Sequence, residues 1–433
     1  MVDRLNTSSA PTALSDWLSR IFAIRSGPEI EMGLERIRPV FDALKVAPSC
    51  PVFLVGGTNG KGSVCAYLDS ILRSGGYRVA RYTSPHIHRF NERIVVSGVE
   101  ASDAALVAAF ERVEAARIQC GELALTFFEY TTLAAFVIFA EAKLDAWVIE
   151  VGLGGRLDAT NILEPDCSII VSIGIDHQEF LGNTRELIAV EKAGILRRGK
   201  PAVIAEPNPP QTLIDAAKNS GAIAQFMGQD FAAQKSADMP GQWSFRSGNA
   251  LRHALPIPAL RGSYQLGNAA AALAALAALQ DRLPVSQSAI KSGLLSVEWP
   301  GRFQVLPGRP TVVLDVAHNE HAAIALERAL SDMTYFPTTH AVFSMLKDKD
   351  VSAVIAAVKH RVDCWYVAPL PGARGSAVEP MLEALRAAGV KDVQIQSFSD
   401  VSSAYAAAQK KAEEADRIIV FGSFLTVAAA MAH

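Results

Sequence analysis

Short apolar runs, each closed by a glycine-rich or polar cluster, recur along this 433-residue chain and alternate with longer segments of helical period. Val52–Val55 reads as a buried strand, followed by Gly56-Gly57-Thr58-Asn59-Gly60-Lys61-Gly62-Ser63 and a helix from Val64 to Arg73 that Gly75-Gly76 stops. Two amphipathic helices, Leu14–Leu18 and Gly33–Leu44, precede that strand. After it come a short strand from Arg78 to Thr83 ending at Ser84-Pro85-His86, a helix from Asp103 to Gln119, and an apolar helix opened by Leu125–Glu129 and running through Ala142. Ala146–Gly152 and Cys167–Ile173 read as strands that run into Leu153–Asn161 and into Gly174-Ile175-Asp176-His177. A helix over Thr184–Ala193 carries Lys192, and Lys200–Ala205 is one more strand. Residues 206–262, rich in Pro, Gln and Ser, read as a polar excursion of short strands before a helix over Asn268–Leu279.

The pattern breaks at Glu298–Arg302 and restarts with Thr311–Asp315, Ala341–Phe343, Cys364–Val367 and Arg417–Phe421, alternating with helices. Strands alternating with helices indicate parallel α/β sheets, whose functional groups gather at strand carboxyl ends. The polar clusters named above sit at such ends. The chain is too long for one ordinary core, and the break near residue 300 divides it into domains 1–299 and 300–433.

Composition narrows the functional classes. Half the residues are hydrophobic and a fifth are charged, enough for a large core, and the net charge of −3 gives no electrostatic case for nucleic acid or an anionic membrane. The segment Met1–Ser9 lacks the apolar core of a leader, and the longest apolar runs, Leu133–Ala140 and Ala269–Leu279, are too short to span a bilayer. Five cysteines without metal-type spacing read as reduced, buried small hydrophobes of a cytoplasmic protein.

Strand, glycine loop, lysine, hydroxyl and helix are what a nucleotide phosphate needs. Glycines let backbone N–H groups approach phosphate oxygens, the helix N-terminus adds partial positive charge, Lys61 meets the terminal phosphates, and Ser63 offers a hydroxyl to Mg²⁺. The spacing departs from the common pattern: Val55 stands where the first glycine is expected and Gly62 separates Lys61 from Ser63. A plain glycine-rich turn is the alternative. Glu150, at the end of an apolar strand, is either a buried salt-bridge partner or a metal ligand beside a triphosphate. His177 taken alone is a structural histidine, and Lys192 taken alone a solvated helix residue. Gly152-Leu153-Gly154 is no dinucleotide fingerprint, because the third glycine is missing and Asp-Ala-Thr-Asn follows instead of a helix.

Six runs in order resemble one family: Gly57–Ser63, Tyr82–His86, Glu150–Asn161, Asp176-His177, Glu191–Ile195 and Asp315–Asn319. They are similar to the folylpolyglutamate synthases of the Mur ligase superfamily, in particular the bacterial bifunctional dihydrofolate synthase/folylpolyglutamate synthase branch. The match runs from about residue 14 to the carboxyl terminus, and Gly33–Arg38 also fits. The resemblance implies a P-loop-type parallel-sheet ATPase domain and a smaller C-terminal Rossmann-like α/β domain. It explains the altered loop, with Gly57, Thr58, Asn59, Gly60, Lys61, Gly62 and Ser63 around ATP. Ser63, Ser84 and Glu150 would hold one Mg²⁺ and His177 a second. Lys192 matches a lysine that the family carbamylates with CO₂.

Asn268, grouped by the resemblance with Arg302, Asp315 and His318 of the second domain, would contact the nucleotide; a helix N-cap for Asn268, a domain-boundary salt bridge for Arg302 and a strand-end turn at His318-Asn319 are the alternatives. Phe128, Gly155, Arg156, Leu157 and Asp158 would form the pterin slot, with core packing the alternative for Phe128. The implied reaction joins L-glutamate to dihydropteroate, and to the γ-carboxylate of reduced folates, through an acyl phosphate made from ATP. Lys61, Lys192 and His318 are the catalytic candidates, although no general base for the glutamate amine is obvious. A monofunctional folylpolyglutamate synthase, a cell-wall Mur ligase and a nucleotide-binding switch are the competing assignments; only 55 residues precede Gly56, too few for the nucleotide-sugar domain of the second. The family implies a monomer acting on small molecules.

Overall fold

The computed structural model describes residues 12–24, 30–248 and 250–432, so Met1–Ser9 lie outside the described residues. Three sheets organise the chain. The first contains β1 (Val52–Gly56), β2 (Val79–Tyr82), β3 (Ile94–Val96), β4 (Val99–Glu100), β5 (Ala146–Glu150), β6 (Cys167–Ile170), β7 (Pro201–Ile204) and β8 (Ile223–Phe226), in the spatial order β4-β3-β2-β5-β1-β6-β7-β8. From β2 to β8 neighbours run parallel, and β3 and β4 form an antiparallel edge hairpin that the apolar pattern did not announce.

Alternation along β1 divides its side chains between two cores. Val52 and Leu54 pack with the helices Asp103–Gln119 and Phe127–Glu141, whereas Phe53 and Val55 pack with Lys61–Ser74 and Gln265–Ala278. Because both faces are covered, every side chain of β1 is buried and the strand reads as a continuous apolar run. The helix Phe127–Glu141 begins at a capping box: Thr126 Oγ1 accepts from the Glu129 N–H, and Glu129 accepts from the Thr126 N–H.

The polar excursion is not all short strands: it opens with a helix, Gln211–Ser220, whose Leu213 and Ala217 are buried, and continues into β8, which joins the first sheet, and a three-stranded antiparallel sheet of β9 (Phe231–Lys235), β10 (Gln242–Ser247) and β11 (Ala250–Pro256). The third sheet holds β12 (Gln304–Leu306), β13 (Thr311–Asp315), β14 (Thr339–Phe343), β15 (Cys364–Val367), β16 (Ile395–Ser397) and β17 (Arg417–Phe421), ordered β12-β13-β17-β14-β15-β16. All but β12 run parallel, and each face carries its own apolar cluster. The architecture is α/β: a parallel-sheet P-loop domain followed by a smaller Rossmann-like domain.

Among the described residues no helix is long and apolar enough to cross a membrane. All five cysteines are free thiols, but only Cys65 and Cys167 are buried; Cys50, Cys120 and Cys364 are partly exposed.

Candidate active site

Strand β1 delivers the glycine loop to the middle of the sheet, between the ends of β5 and β6. The loop is fastened to the segment after β6. Thr58 N–H donates to the Ser172 carbonyl at 2.8 Å, Thr58 Oγ1 donates to the Gly174 carbonyl at 3.0 Å, and Asn59 N–H donates to Ser172 Oγ at 2.9 Å. Gly60 stands immediately before the helix Lys61–Ser74 at φ 85°, and a Cβ there would lie 2.8 Å from Asn268 Oδ1 and from Val171 Cγ1. The Lys61 ammonium folds back to donate to the Gly57 and Thr58 carbonyls at 3.1 and 3.2 Å. Ser63 is buried, and its hydroxyl accepts from Gln265 Nε2 at 3.3 Å.

Asn268 corrects its grouping. It lies on a helix of the first domain, with Nδ2 donating to Gln265 Oε1 at 3.0 Å, and it stands over the glycine loop. The N-cap alternative also falls, because that helix begins at Gln265 with Tyr264 as its cap.

Glu150 ends β5. Its Oε2 accepts the Ser84 N–H at 3.0 Å, and no salt bridge reaches it among the described residues. Burial raises its pKa, against the charges of Lys61, Arg302 and Arg93. A buried carboxylate without a direct cationic partner among the described residues, bonded to the Ser84 N–H, has the hard oxygen chemistry of a Mg²⁺ site that phosphate oxygens complete. The described residues contain no group of three or more His, Cys, Asp or Glu that would hold a metal by protein side chains alone. The donor set therefore fits a cation that arrives with a phosphate.

His177 takes a left-handed conformation, φ 50°, beside Asp176; burial lowers its imidazole pKa to about 4, so the ring is neutral and able to ligate. Lys192 is 3% exposed, and its ammonium makes no hydrogen bond or salt bridge among the described residues. Burial, and then the charge of Lys61, push its pKa down to about 7. This is no solvated helix residue.

At the other side, Phe128 seats its ring against Gly152, where a Cβ would lie 2.4 Å from Phe128 Cζ, and 6.1 Å from the Tyr82 ring. The loop beyond is bound to the helix bearing Lys192: the N–H of Arg156 donates to the Glu191 carbonyl at 2.8 Å, and its guanidinium pairs with the Glu191 carboxylate at 2.8 Å. Leu157 is half-buried, and its carbonyl accepts from the Gly33 N–H. Asp158 is engaged within the loop, Oδ2 accepting from Leu153 N–H at 2.8 Å and Oδ1 from Thr160 N–H at 3.0 Å. Its carboxylate shapes the loop around Gly155.

The second domain closes over these groups. Asp315 is buried at the end of β13 and accepts from Phe303 and Ala317 N–H groups, both at 2.8 Å. Arg302 lies with Cζ 4.9 Å from the Phe424 ring centroid and forms no salt bridge among the described residues, so the boundary ion pair is absent. His318 Nδ1 donates to the Val316 carbonyl at 2.8 Å, which turns Nε2 toward Asp176 at 3.6 Å.

Asp176 and Asn319 were visible in their motifs without an assigned role, and Lys349 and His321 were missed. Asp176 binds Lys349 Nζ at 2.6 Å and Asn319 Nδ2 at 2.9 Å, while Asn59 of the glycine loop meets Asn319 Oδ1 at 3.1 Å and His321 Nδ1 at 2.9 Å. The charge run Lys347–Asp350 after β14 was the one sequence signal for Lys349.

Two family models match the chain. Residues 55–276 match the family model described as the Mur ligase middle domain, and residues 301–424 match the Mur ligase glutamate ligase domain. The chain is 42% identical to the dihydrofolate synthase/folylpolyglutamate synthase of Escherichia coli K12 over 98% of its own length and 96% of the relative's. It is 37% identical to the Haemophilus influenzae protein of the same name, over 97% of both. Among solved structures, E. coli FolC in complex with DHPP and ADP superposes with a TM-score of 0.91 at 42% identity, covering 98% of each chain. A bifunctional folylpolyglutamate synthase/dihydrofolate synthase with Mn, AMPPNP and L-glutamate bound superposes at 0.88, with 42% identity and 99% of each chain covered.

Proposed function

The chain belongs to the dihydrofolate synthase/folylpolyglutamate synthase family of Mur ligases, and on that premise we propose how its residues divide the work of an ATP-dependent ligase. The enzyme adds L-glutamate to dihydropteroate, forming dihydrofolate, and to the γ-carboxylate of folates. The observation that carries this reading is that the charges of Lys61 and of Arg302 from the second domain both act on the buried Glu150 carboxylate, which no salt bridge reaches among the described residues, while His318 approaches Asp176.

In the first step an acceptor carboxylate oxygen forms a bond to the γ-phosphorus of ATP, and the bond to ADP breaks. In the second, the glutamate amine attacks the acyl carbon, phosphate leaves, and the amine gives up a proton. Lys61 exchanges its two loop carbonyls for phosphate oxygens, and Arg302 and His318 approach from the facing domain. Gly57–Ser63 cradle the phosphates; Asn268 and Asp315 complete the nucleotide site. Ser63, Ser84 and Glu150 would hold one Mg²⁺ and His177 a second, and ions so held would supply positive charge to the transferring phosphoryl group.

With its pKa near 7, the Lys192 amine is in large part unprotonated at neutral pH, the form that adds CO₂; the carbamate converts a buried cation into a metal-compatible anion. Phe128 supplies the face of the pterin slot, and Gly155, Arg156, Leu157 and Asp158 its loop. The latch from Asp176 and Asn59 to the second domain keeps water from the acyl phosphate. We place the enzyme in the cytoplasm as a monomer acting on soluble small molecules.

Purified protein with ATP, Mg²⁺ and L-glutamate should release phosphate with either dihydropteroate or tetrahydrofolate, giving products longer by one glutamyl residue. Release with tetrahydrofolate alone would leave a monofunctional folylpolyglutamate synthase. Release with neither would contradict the ligase reading.

A further inference from the structure

Between the pterin slot and the phosphoryl-transfer site stands one cation to which none of the roles above has been given. Arg93 immediately precedes β3, and its carbonyl accepts the Thr83 N–H at 3.0 Å, so it is fixed beside the residue before Ser84. Its Nε donates to His86 Nδ1 at 2.8 Å. Its guanidinium lies 5.5 Å from the Phe90 ring and 5.8 Å from the Phe127 ring.

No salt bridge reaches Arg93 among the described residues; besides His86, the groups acting on its charge are Tyr82, which hydrogen-bonds it, and the more remote Glu150 and Glu92. Other arginines of this domain that are largely withdrawn from water are paired: Arg81 with Asp69 at 2.9 Å, and Arg117 with Glu114 at 2.7 Å. An arginine steered by a histidine and two rings, yet left without a carboxylate, is organised for a carboxylate from elsewhere.

The neighbours say which carboxylate. Phe127 adjoins Phe128 of the pterin slot, and Tyr82 contacts that same ring. On the other side, Ser84 binds Glu150, where the γ-phosphate must come. The phosphates already have Lys61 and Arg302. Resting on the ligase reading above, we infer that Arg93 binds the carboxylate of the pterin-bearing acceptor and aims it at the γ-phosphate, with Phe90 and Phe127 beside the aminobenzoyl ring. Arg93 is thus a substrate-binding residue for dihydropteroate's benzoate and, in folates, for the carboxylate to be extended.

Equilibrium binding of dihydropteroate, and of its analogue with the carboxylate replaced by hydrogen, tests this in wild type, Arg93→Lys and Arg93→Gln. Wild type should prefer the carboxylate roughly 10- to 100-fold, the range for hydrogen bonds to a charged group. Arg93→Gln should bind the two compounds equally while keeping wild-type affinity for ATP, which verifies the fold. Arg93→Lys, with the charge but not the fork, should keep part of the preference. A wild-type preference retained in Arg93→Gln, or no preference in wild type, overturns the assignment to Arg93. Wild type that binds neither compound contradicts the acceptor reading itself.

Discussion

Two groups of buried charge in the first domain obey opposite rules. Under the helices that cover the outer face, Glu114 accepts from Arg117 at 2.7 Å, Arg20 at 2.9 Å and the Tyr130 hydroxyl at 3.2 Å. Around the carboxyl ends of β1 and β5, Glu150 and Lys192 have no ion pair among the described residues, and Lys61 is held only by carbonyls. Paired buried charges hold a fold together; unpaired ones destabilise it and persist where a ligand brings the counter-charge. The first group serves structure, and the second is the group that our proposal assigns to ATP, metal and substrate.

The contrast should break most visibly at Lys61. Lys61→Ala should lower glutamate-dependent phosphate release by roughly 10³-fold or more, the scale for a donor to transferring phosphate, with thermal stability maintained. At the paired group the effects should reverse. Glu114→Ala strands Arg117 and should lower unfolding stability by roughly 3 kcal/mol, measured in urea, while turnover of the folded fraction is unchanged.

A finer test uses Lys192. Its folded pKa, about 7, lies below the usual 10.5, so between those values the unfolded chain binds a proton that the folded chain does not. In CO₂-free buffer, wild-type stability relative to Lys192→Met should rise as pH goes up from about 7 toward 10.5 and stay flat below 7. Added bicarbonate should raise wild-type activity and leave the variant unaffected.

Much of this site was legible because its signals are local. The apolar run of β1, the glycines and the helix that follows lie within one short stretch, and the strand and helix formed within a few residues of where the pattern put them. Glu150 stood out because a carboxylate in Trp-Val-Ile-Glu-Val is costly wherever the strand packs. The interdomain latch was not legible. Asp176 and Lys349 are 173 residues apart, and nothing in either local pattern says that the second domain's loops point back at the first. Asp158 shows a subtler limit: an Asp in a glycine-rich loop can face a ligand or hold the loop, and here its oxygens accept the loop's own N–H groups. Arg93 was invisible because its significance lies in a missing partner, which only three dimensions reveal.

Glu150 offers the most direct test of the division between paired and waiting charge. Burial raises its pKa, so the fold favours the uncharged carboxyl, and Gln keeps an oxygen for the Ser84 N–H. Thermal and urea unfolding of ligand-free Glu150→Gln should therefore show stability higher than wild type by about 1 kcal/mol or more, with ligase turnover abolished. A variant less stable than wild type would make Glu150 a structural residue and contradict the claim that this carboxylate is held in readiness for the metal and phosphate.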